Sequence, residues 1–428
     1  MRRHPHDGLT VFLVFLAFSL LCLALLGQAS PGWNVVAVDS AGDIGRYTSL
    51  VLGSSGNPRI SYYDVANGDL KYAEWTGSTW SIVTVDSAGN VGLYTSLALD
   101  SGGSPHISYC DVTNGDLKYA RWTGVTWSIS TVDSTGDVGL YTSLALDSGG
   151  SPHISYYSST LGDLKYASWT GSTWSIVTVD SAGDVGRYTS LALGYGGNPR
   201  ISYYDVTNNA LKCADWTGSA WRLVTVDLTG NVGLYTSLAF DSGWNPHISY
   251  YDVTNGDLKY AKLIGSAWSI STVDSAGDVG RYTSLAIGSG YNPRISYYDV
   301  TNGDLKYAEW TGTAWSIVAV DSTGNVGGDT SLALDSGGNP HISYYDYTNG
   351  DLKYASYGPA PSPSPSPTSS PSPTPSPSSS PSPSLTPTSS PSPSPLWRRR
   401  LPGPSLSSHS RRSPDQPDGT PLLPPMPD

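Results

Sequence analysis

The chain has 428 residues, with 47 Gly, 32 Pro, 29 Tyr and 14 Trp against 4 Phe and 2 Met. That composition fits many short strands joined by tight turns rather than ordinary mixed packing. A formal net charge of −12 argues against nucleic acid and anionic membranes as partners, because phosphate backbones need clustered Lys and Arg.

Residues 1–29 read as a secretory signal peptide. Arg2 and Arg3 open it, an apolar run follows from Leu9 to Leu26, and Gly27-Gln28-Ala29 ends it in small residues suited to cleavage. The expected localisation is therefore secreted or at the cell surface, with no membrane span in the mature chain. There are 3 cysteines. Cys22 leaves with the signal. Cys110 and Cys213 stand where other repeats carry Tyr, so neither a disulfide framework nor a zinc site is expected.

A repeat dominates residues 30–358. Trp33, Trp80, Trp127, Trp174, Trp221, Trp268 and Trp315 recur at one fixed spacing without insertion or deletion. A period of about 40–50 residues built from strand signals points to propeller blades. In the first copy, strand A is expected over Thr48–Leu52 and strand B over Arg59–Val65. Strand C is expected over Leu70–Thr76 and strand D over Trp80–Val85. Asn67-Gly68 reads as a tight hairpin turn between B and C. The Trp75 and Trp80 series read as packing residues that fill the space between blades.

The phase of the repeat specifies closure. The array begins with an isolated D strand, Trp33–Val38, and ends with an A–B–C set over residues 330–357. Pairing the two completes a seventh blade and removes the free edges of an open array. The expected fold is all-β, a closed seven-bladed propeller with four antiparallel strands per blade. Residues 359–395 are almost wholly Pro, Ser and Thr, which cannot bury a core and favours extended geometry. Residues 396–428 open on Leu396-Trp397-Arg398-Arg399-Arg400 and continue as a polar Pro-rich tail. Both segments are expected to be disordered and dispensable for folding.

The repeats N-G-D-L-K-Y-A, S-I-V-T-V-D-S and G-N-P-x-I-S-Y-Y-D, over residues 33–358, resemble secreted bacterial propeller proteins of the BNR or sialidase-like type. The resemblance implies the fold. Sialidases carry S-x-D-x-G-x-T-W boxes and this chain has none, so their chemistry is not implied.

Three features invite a chemical reading. The D-to-A crossings read D-x-x-G-[DN]-[VI]-G, as at Asp86 and Asn90. Their oxygens suit either Ca²⁺ or an Asx turn, although each loop is short of the roughly 6–8 oxygens that calcium takes. Three aromatics break the A–B turn pattern: Trp244 and Tyr291 replace a Gly, and Tyr195 replaces a Ser. Exposed rigid rings suit stacking on a sugar face, so these three are the candidate ligand-binding residues. Finally, strand B opens with Arg59, Arg200 or Arg294 in three blades and with His106, His153, His247 or His341 in four. The Arg blades carry Glu74, Asp215 and Glu309 on strand C. The His blades carry Asp100, Asp147, Asp241 and Asp335 after strand A. Cross-strand pairing would make each a compensated cation.

Near-identical blades argue against an enzyme, since catalysis needs unlike residues converging at one place. No cofactor is expected. The functional expectation is a monomeric, non-catalytic, multivalent module for carbohydrate or a cell-surface glycoprotein. The alternatives are a structural or adhesive scaffold, or a degenerate sialidase-like hydrolase.

Overall fold

A computed structural model describes residues 32–288 and 290–358. The expectations for residues 1–29 and 359–428 lie outside the described residues.

The chain forms seven four-stranded antiparallel sheets. In blade 1, strand A is Ile44–Leu52, B is Pro58–Asp64, C is Asp69–Trp75 and D is Trp80–Asp86. Strands A line the axis and contact each other around the ring. The seventh blade is built as the repeat phase requires: Gly32–Asp39 pairs antiparallel with Asp351–Gly358, Trp33 opposite Tyr357 and Val36 opposite Tyr354.

Two local geometries differ from the sequence reading. Strand A begins at Ile44 rather than Thr48, because the chain enters the sheet before a bulge. The bulge breaks pairing between Arg46 and Ser49 and holds Tyr47 at a φ of 53°. Gly45 makes this entry possible: a Cβ there would sit 2.7 Å from the Leu352 backbone of the preceding blade. The B–C hairpin is also wider than expected. Asp64 opposite Asp69 is the last pair, and the Asp64 carboxylate accepts the Asn67 N–H at 3.1 Å. Only Gly68 of the expected pair takes a positive φ, 74°. In blade 4, Asn209 fills that role at 54°.

The core lies between blades rather than within one central mass. Leu70, Tyr72 and Val85 of blade 1 pack with Val91, Leu97, Ile107, Tyr109 and Ala120 of blade 2, and equivalent clusters fill every gap. The recurring tryptophans join this packing as half-buried side chains. Trp127 meets Tyr72 of the preceding blade edge to face at 5.5 Å.

Each gap is crossed by a buried polar bridge that starts at the last residue of strand D. Asp86 accepts the Tyr109 hydroxyl at 2.7 Å and the Lys118 ammonium at 2.7 Å, both from the next blade. Its other oxygen accepts the Ala88 N–H at 3.1 Å and shapes the crossing. The crossing Asp is therefore an Asx cap and an inter-blade anchor. Asn90 accepts the Tyr63 hydroxyl at 2.6 Å. Among the described residues, no group of three or more His, Cys, Asp or Glu side chains is gathered to hold a metal.

At Asp227, burial alone would raise the carboxyl. Hydrogen bonds from Thr229, Tyr250 and Lys259 overcome it and hold the group at about 2. A carboxyl depressed in the fold stabilises it above the unfolded value of 3.8, and that contribution is lost as pH falls through about 2. Asp227→Ala should cost about 3 kcal/mol in neutral urea titrations, because it strands a buried lysine and tyrosine. The penalty should shrink as pH approaches 2; a penalty independent of pH would refute the charged bridge.

Candidate functional site

The register places one residue from each of strands B, C and D side by side near the A–B turns. In blade 1 the row is Arg59, Glu74, Ser81. In blade 6 it is Arg294, Glu309, Ser316. In blade 4 it is Arg200, Asp215, Arg222. The other four blades open the row with His.

The Arg blades carry the expected ion pairs. Arg59 Nη2 lies 2.9 Å from Glu74, Arg200 Nη2 lies 2.7 Å from Asp215, and Arg294 Nη2 lies 2.8 Å from Glu309. Val51, rather than Gly53, lies opposite Arg59, because the A–B loop runs from 53 to 57. Arg59 and Arg294 also donate to the Gly103 and Gly338 carbonyls of the next blade.

The His blades have the expected contact but not the expected charge. His106 Nε2 lies 3.5 Å from Asp100, and His247 Nε2 lies 3.2 Å from Asp241. Nδ1 of each ring meets a tyrosine hydroxyl on strand C, Tyr119 or Tyr260. Burial lowers the imidazole pKa, and the neighbouring Asp only partly opposes it. Burial thus favours the neutral ring over a compensated cation; His247 bridges Tyr260 and Asp241 by hydrogen bonds, whereas His106 Nε2 stands near Asp100 without a hydrogen bond. Losing Asp100 would still leave His106 held by Tyr119.

A base with a depressed folded pKa resists protonation that the unfolded chain accepts. Stability should therefore fall as pH drops below 6.5. Urea titrations from pH 8 to 5 should show this decline, with uptake of up to one proton per buried histidine on unfolding. His106→Gln should make the slope shallower; an unchanged slope would mean that His106 is already charged.

These rows wall a set of clefts between blades. The cleft of blades 1 and 2 encloses about 560 Å³, with Arg59, Glu74 and Ser81 on one side and Gly103, Trp122 and Trp127 on the other. Equivalent clefts of about 380 Å³ and 310 Å³ lie between blades 3 and 4 and between blades 6 and 7. Each combines half-buried aromatic rings with fixed polar groups, the usual make-up of a small-molecule site. The sequence reading missed the clefts, because it could not place strand D beside strand C residue by residue.

Of the three turn aromatics, the structure brings two together. Tyr195 is 76% exposed and Trp244 49% exposed, and their rings meet edge to face at 6.3 Å. Phe240 stands 6.1 Å from Trp244 and extends the patch. Tyr291, 51% exposed, lies on blade 6 outside that pair. Trp244 and Tyr291 hold φ values of 62° and 65°, where other blades carry Gly. Trp244→Gly should therefore raise stability by about 1 kcal/mol in urea. No gain would show that the ring contacts offset the strain.

A second constellation surrounds the axis at the crossing-loop end. Tyr47, Tyr94, Tyr141, Tyr188, Tyr235 and Tyr282 line a hollow of about 190 Å³. Neighbouring rings tilt against one another, as Tyr47 and Tyr94 do at 4.4 Å. The seventh position is Asp329, at a φ of 49°. It is buried, its Oδ2 accepts no hydrogen bond, and Arg46 Nη1 approaches it at 3.9 Å. Burial raises its carboxyl, with Arg46 opposing. Unlike residues thus do converge at one place, contrary to the expectation from near-identical blades.

No protein-family model matches the sequence, and no curated protein matches it. Solved structures do. A fungal alcohol oxidase in complex with copper aligns at a TM-score of 0.51 and 10% identity, covering 78% of this chain and 77% of its own. YCF48 bound to D1 peptide aligns at 0.50 and 14% identity, covering 77% and 97%. A variant of the Aleuria aurantia lectin in complex with Fucα1-6GlcNAc aligns at 0.46 and 16% identity, covering 65% and 96%. At these identities the likeness is one of fold.

Proposed function

We propose that the ring is an extracellular, multivalent carbohydrate-binding module whose sugar sites are the clefts between blades. The observation that carries this reading is the cleft wall itself. A pair of aromatic rings from one blade, two tryptophans or in the closing blade Trp33 with Tyr357, faces a polar B–C–D row from the blade before it. A pyranose needs both parts: rigid apolar rings for its C–H face, and oriented donors and acceptors for its hydroxyls. Trp122 and Trp127 supply the rings, and the Arg59–Glu74 pair offers a donor and an acceptor.

Repetition supports the same reading. Similar clefts on a rigid ring engage a surface-displayed glycan together, and such linkage raises avidity over single-site affinity by about 10²–10⁴-fold. The acidic chain then acts as a soluble single-protomer binder, exported through residues 1–29.

A glycan array probed with the purified chain tests it. Binding should appear on densely displayed glycans and weaken on sparse ones. Glu74→Ala combined with Glu309→Ala should reduce retention at least tenfold, with the melting transition little changed. A chain that retains no glycan at any density is a scaffold rather than a lectin-like module.

A further inference from the structure

One boundary between blades differs from the rest. We infer that the surface where blade 4 meets blade 5 is specialised for an anionic sugar, a saccharide unit bearing a carboxylate or a sulfate. This inference rests on the reading of the inter-blade clefts as sugar sites and assigns a ligand class to the equivalent position at this boundary.

The charge balance of the row carries the argument. In blades 1 and 6 one guanidinium faces one carboxylate, and strand D contributes a serine. In blade 4 the serine position is Arg222. Asp215 is then flanked by two guanidiniums: Arg200 at 2.7 Å and Arg222 at 2.5 Å. A single carboxylate cannot neutralise both, so the row keeps one positive charge on an otherwise acidic chain. The Arg222 side chain is 60% exposed, so part of its planar donor edge faces solvent. Guanidinium donors match carboxylate and sulfate oxygens in spacing and charge.

The opposite wall has changed as well. The position of Trp244 corresponds to Gly103, which lines the cleft of blades 1 and 2 across from Arg59, Glu74 and Ser81. Trp244, with Tyr195 and Phe240 beside it, therefore adds aromatic rings at a turn where blades 2 and 7 have Gly103 and Gly338, while strand C of blade 5 has Leu263 where blade 2 has Trp122. Phe240 also sits 5.6 Å from the Arg200 guanidinium and holds it by a cation–π contact. That contact holds Arg200 against Asp215, while Arg222 bonds Asp215 through Nη2 and keeps the exposed remainder of its guanidinium toward solvent. Trp244 keeps its ring there at a positive φ that glycine would adopt without strain. Blade 2 also carries a cation in its row, Arg121, but the turn facing it has Gly150 in the aromatic position. Blade 5 likewise has Lys262 in its row and Tyr291 on the turn of blade 6, but that cation is a single ammonium 3.9 Å from Asp241; two guanidiniums beside a turn aromatic mark the boundary of blades 4 and 5.

The test compares a galacturonate hexasaccharide, a chondroitin sulfate hexasaccharide and a neutral galactan hexasaccharide on the full chain by calorimetry. At least one acidic probe should bind about tenfold more tightly than the neutral one, and the gain should fall as salt rises. The stronger acidic arm identifies carboxylate or sulfate as the recognised group. Arg222→Ser restores the residue of blades 1 and 6 and should not disturb the fold. It should remove the acidic preference and leave neutral binding unchanged. Trp244→Gly, likewise a repeat residue, should weaken acidic binding by a similar factor. Arg121→Ser should leave the acidic preference in place. If neutral glycans bind but no acidic preference exists, or Arg222→Ser is silent, this inference fails while the general reading stands. If neither these probes nor an array of displayed glycans is bound, both fail.

Discussion

The bridge that ties each blade to the next is the constraint on which the rest of the ring depends. A four-stranded sheet of this size cannot bury both faces alone, so every apolar residue here needs a neighbour blade. Hydrophobic contact supplies the attraction but sets no registry, since Leu, Ile and Tyr pack in several relative positions. The carboxylate at the end of strand D does set one. Asp39, Asp86, Asp133, Asp180, Asp227, Asp274 and Asp321 each accept a tyrosine hydroxyl and a lysine from the following blade. In six blades the same lysine reaches a second Asp at the end of strand B. Blade 3 has Ser158 there, and Lys165 relies on Asp133 alone. Charged groups at this depth are costly unless they meet partners at hydrogen-bond distance, so displacement of one blade against the next is penalised. Closure follows: Asp39 lies on the first described strand, while Tyr62 and Lys71 belong to blade 1. The bridge from blade 7 to blade 1 needs that strand.

The axis shows how a repeat absorbs a departure from its pattern. Six blades place a bulky residue and then a tyrosine at the strand A bulge; the seventh has Gly328 and Asp329. Losing one ring from a circle of stacked tyrosines would leave a gap. Asp329 takes the tyrosine's place at the axis, and Tyr347, where most blades have Val, occupies the space beside position 328. A Cβ at position 328 would come within 2.5 Å of that ring, so Gly328 and Tyr347 are compatible only as a pair. The Arg46 guanidinium then lies 5.0 Å over Tyr347 and 4.6 Å over Tyr345. Position 329 is freed from packing and carries a buried acid instead. The substitutions at 328, 329 and 347 amount to one change in space.

Architecture was legible in the sequence because it follows from periodicity. The fixed tryptophan spacing and the orphan strand at Trp33 required seven blades and a closing pair. The Arg–acid and His–Asp covariation was legible too, since strand order alone brings those residues near each other. What escaped was whatever depends on register between strands or on contact between blades. Ser81 and Arg222 gain meaning only once Glu74 and Asp215 are known to lie beside them. The role of Asp86 was invisible because Tyr109 and Lys118 come from the next blade. The charge of His106 was misread because burial, which decides it, is not written in a pairing pattern. The turn aromatics were visible as exceptions, but only the folded ring shows that Tyr195 and Trp244 meet and Tyr291 does not.

The same division explains where function can diversify. Residues in the bridge cannot change singly, because each is held by two or three partners across a gap. Residues in the B–C–D row are different: their ion-pair partners lie in the same blade. The row has accordingly become Arg–Glu–Ser, Arg–Asp–Arg, His–Arg–Ser, His–Ser–Ser, His–Lys–Ser and, in the closing blade, His–Ser–Asn. Exchanging Arg for His there trades an ion pair at the cleft wall for a neutral ring tied to Tyr and Asp. That exchange alters the donors offered to a ligand while leaving the bridges between blades untouched. A ring of rigid, nearly equal blades can thus hold clefts of different chemistry at fixed spacing. Arg222 stands on strand D of blade 4 and Trp244 on the A–B turn of blade 5, so each can change without disturbing a bridge between blades.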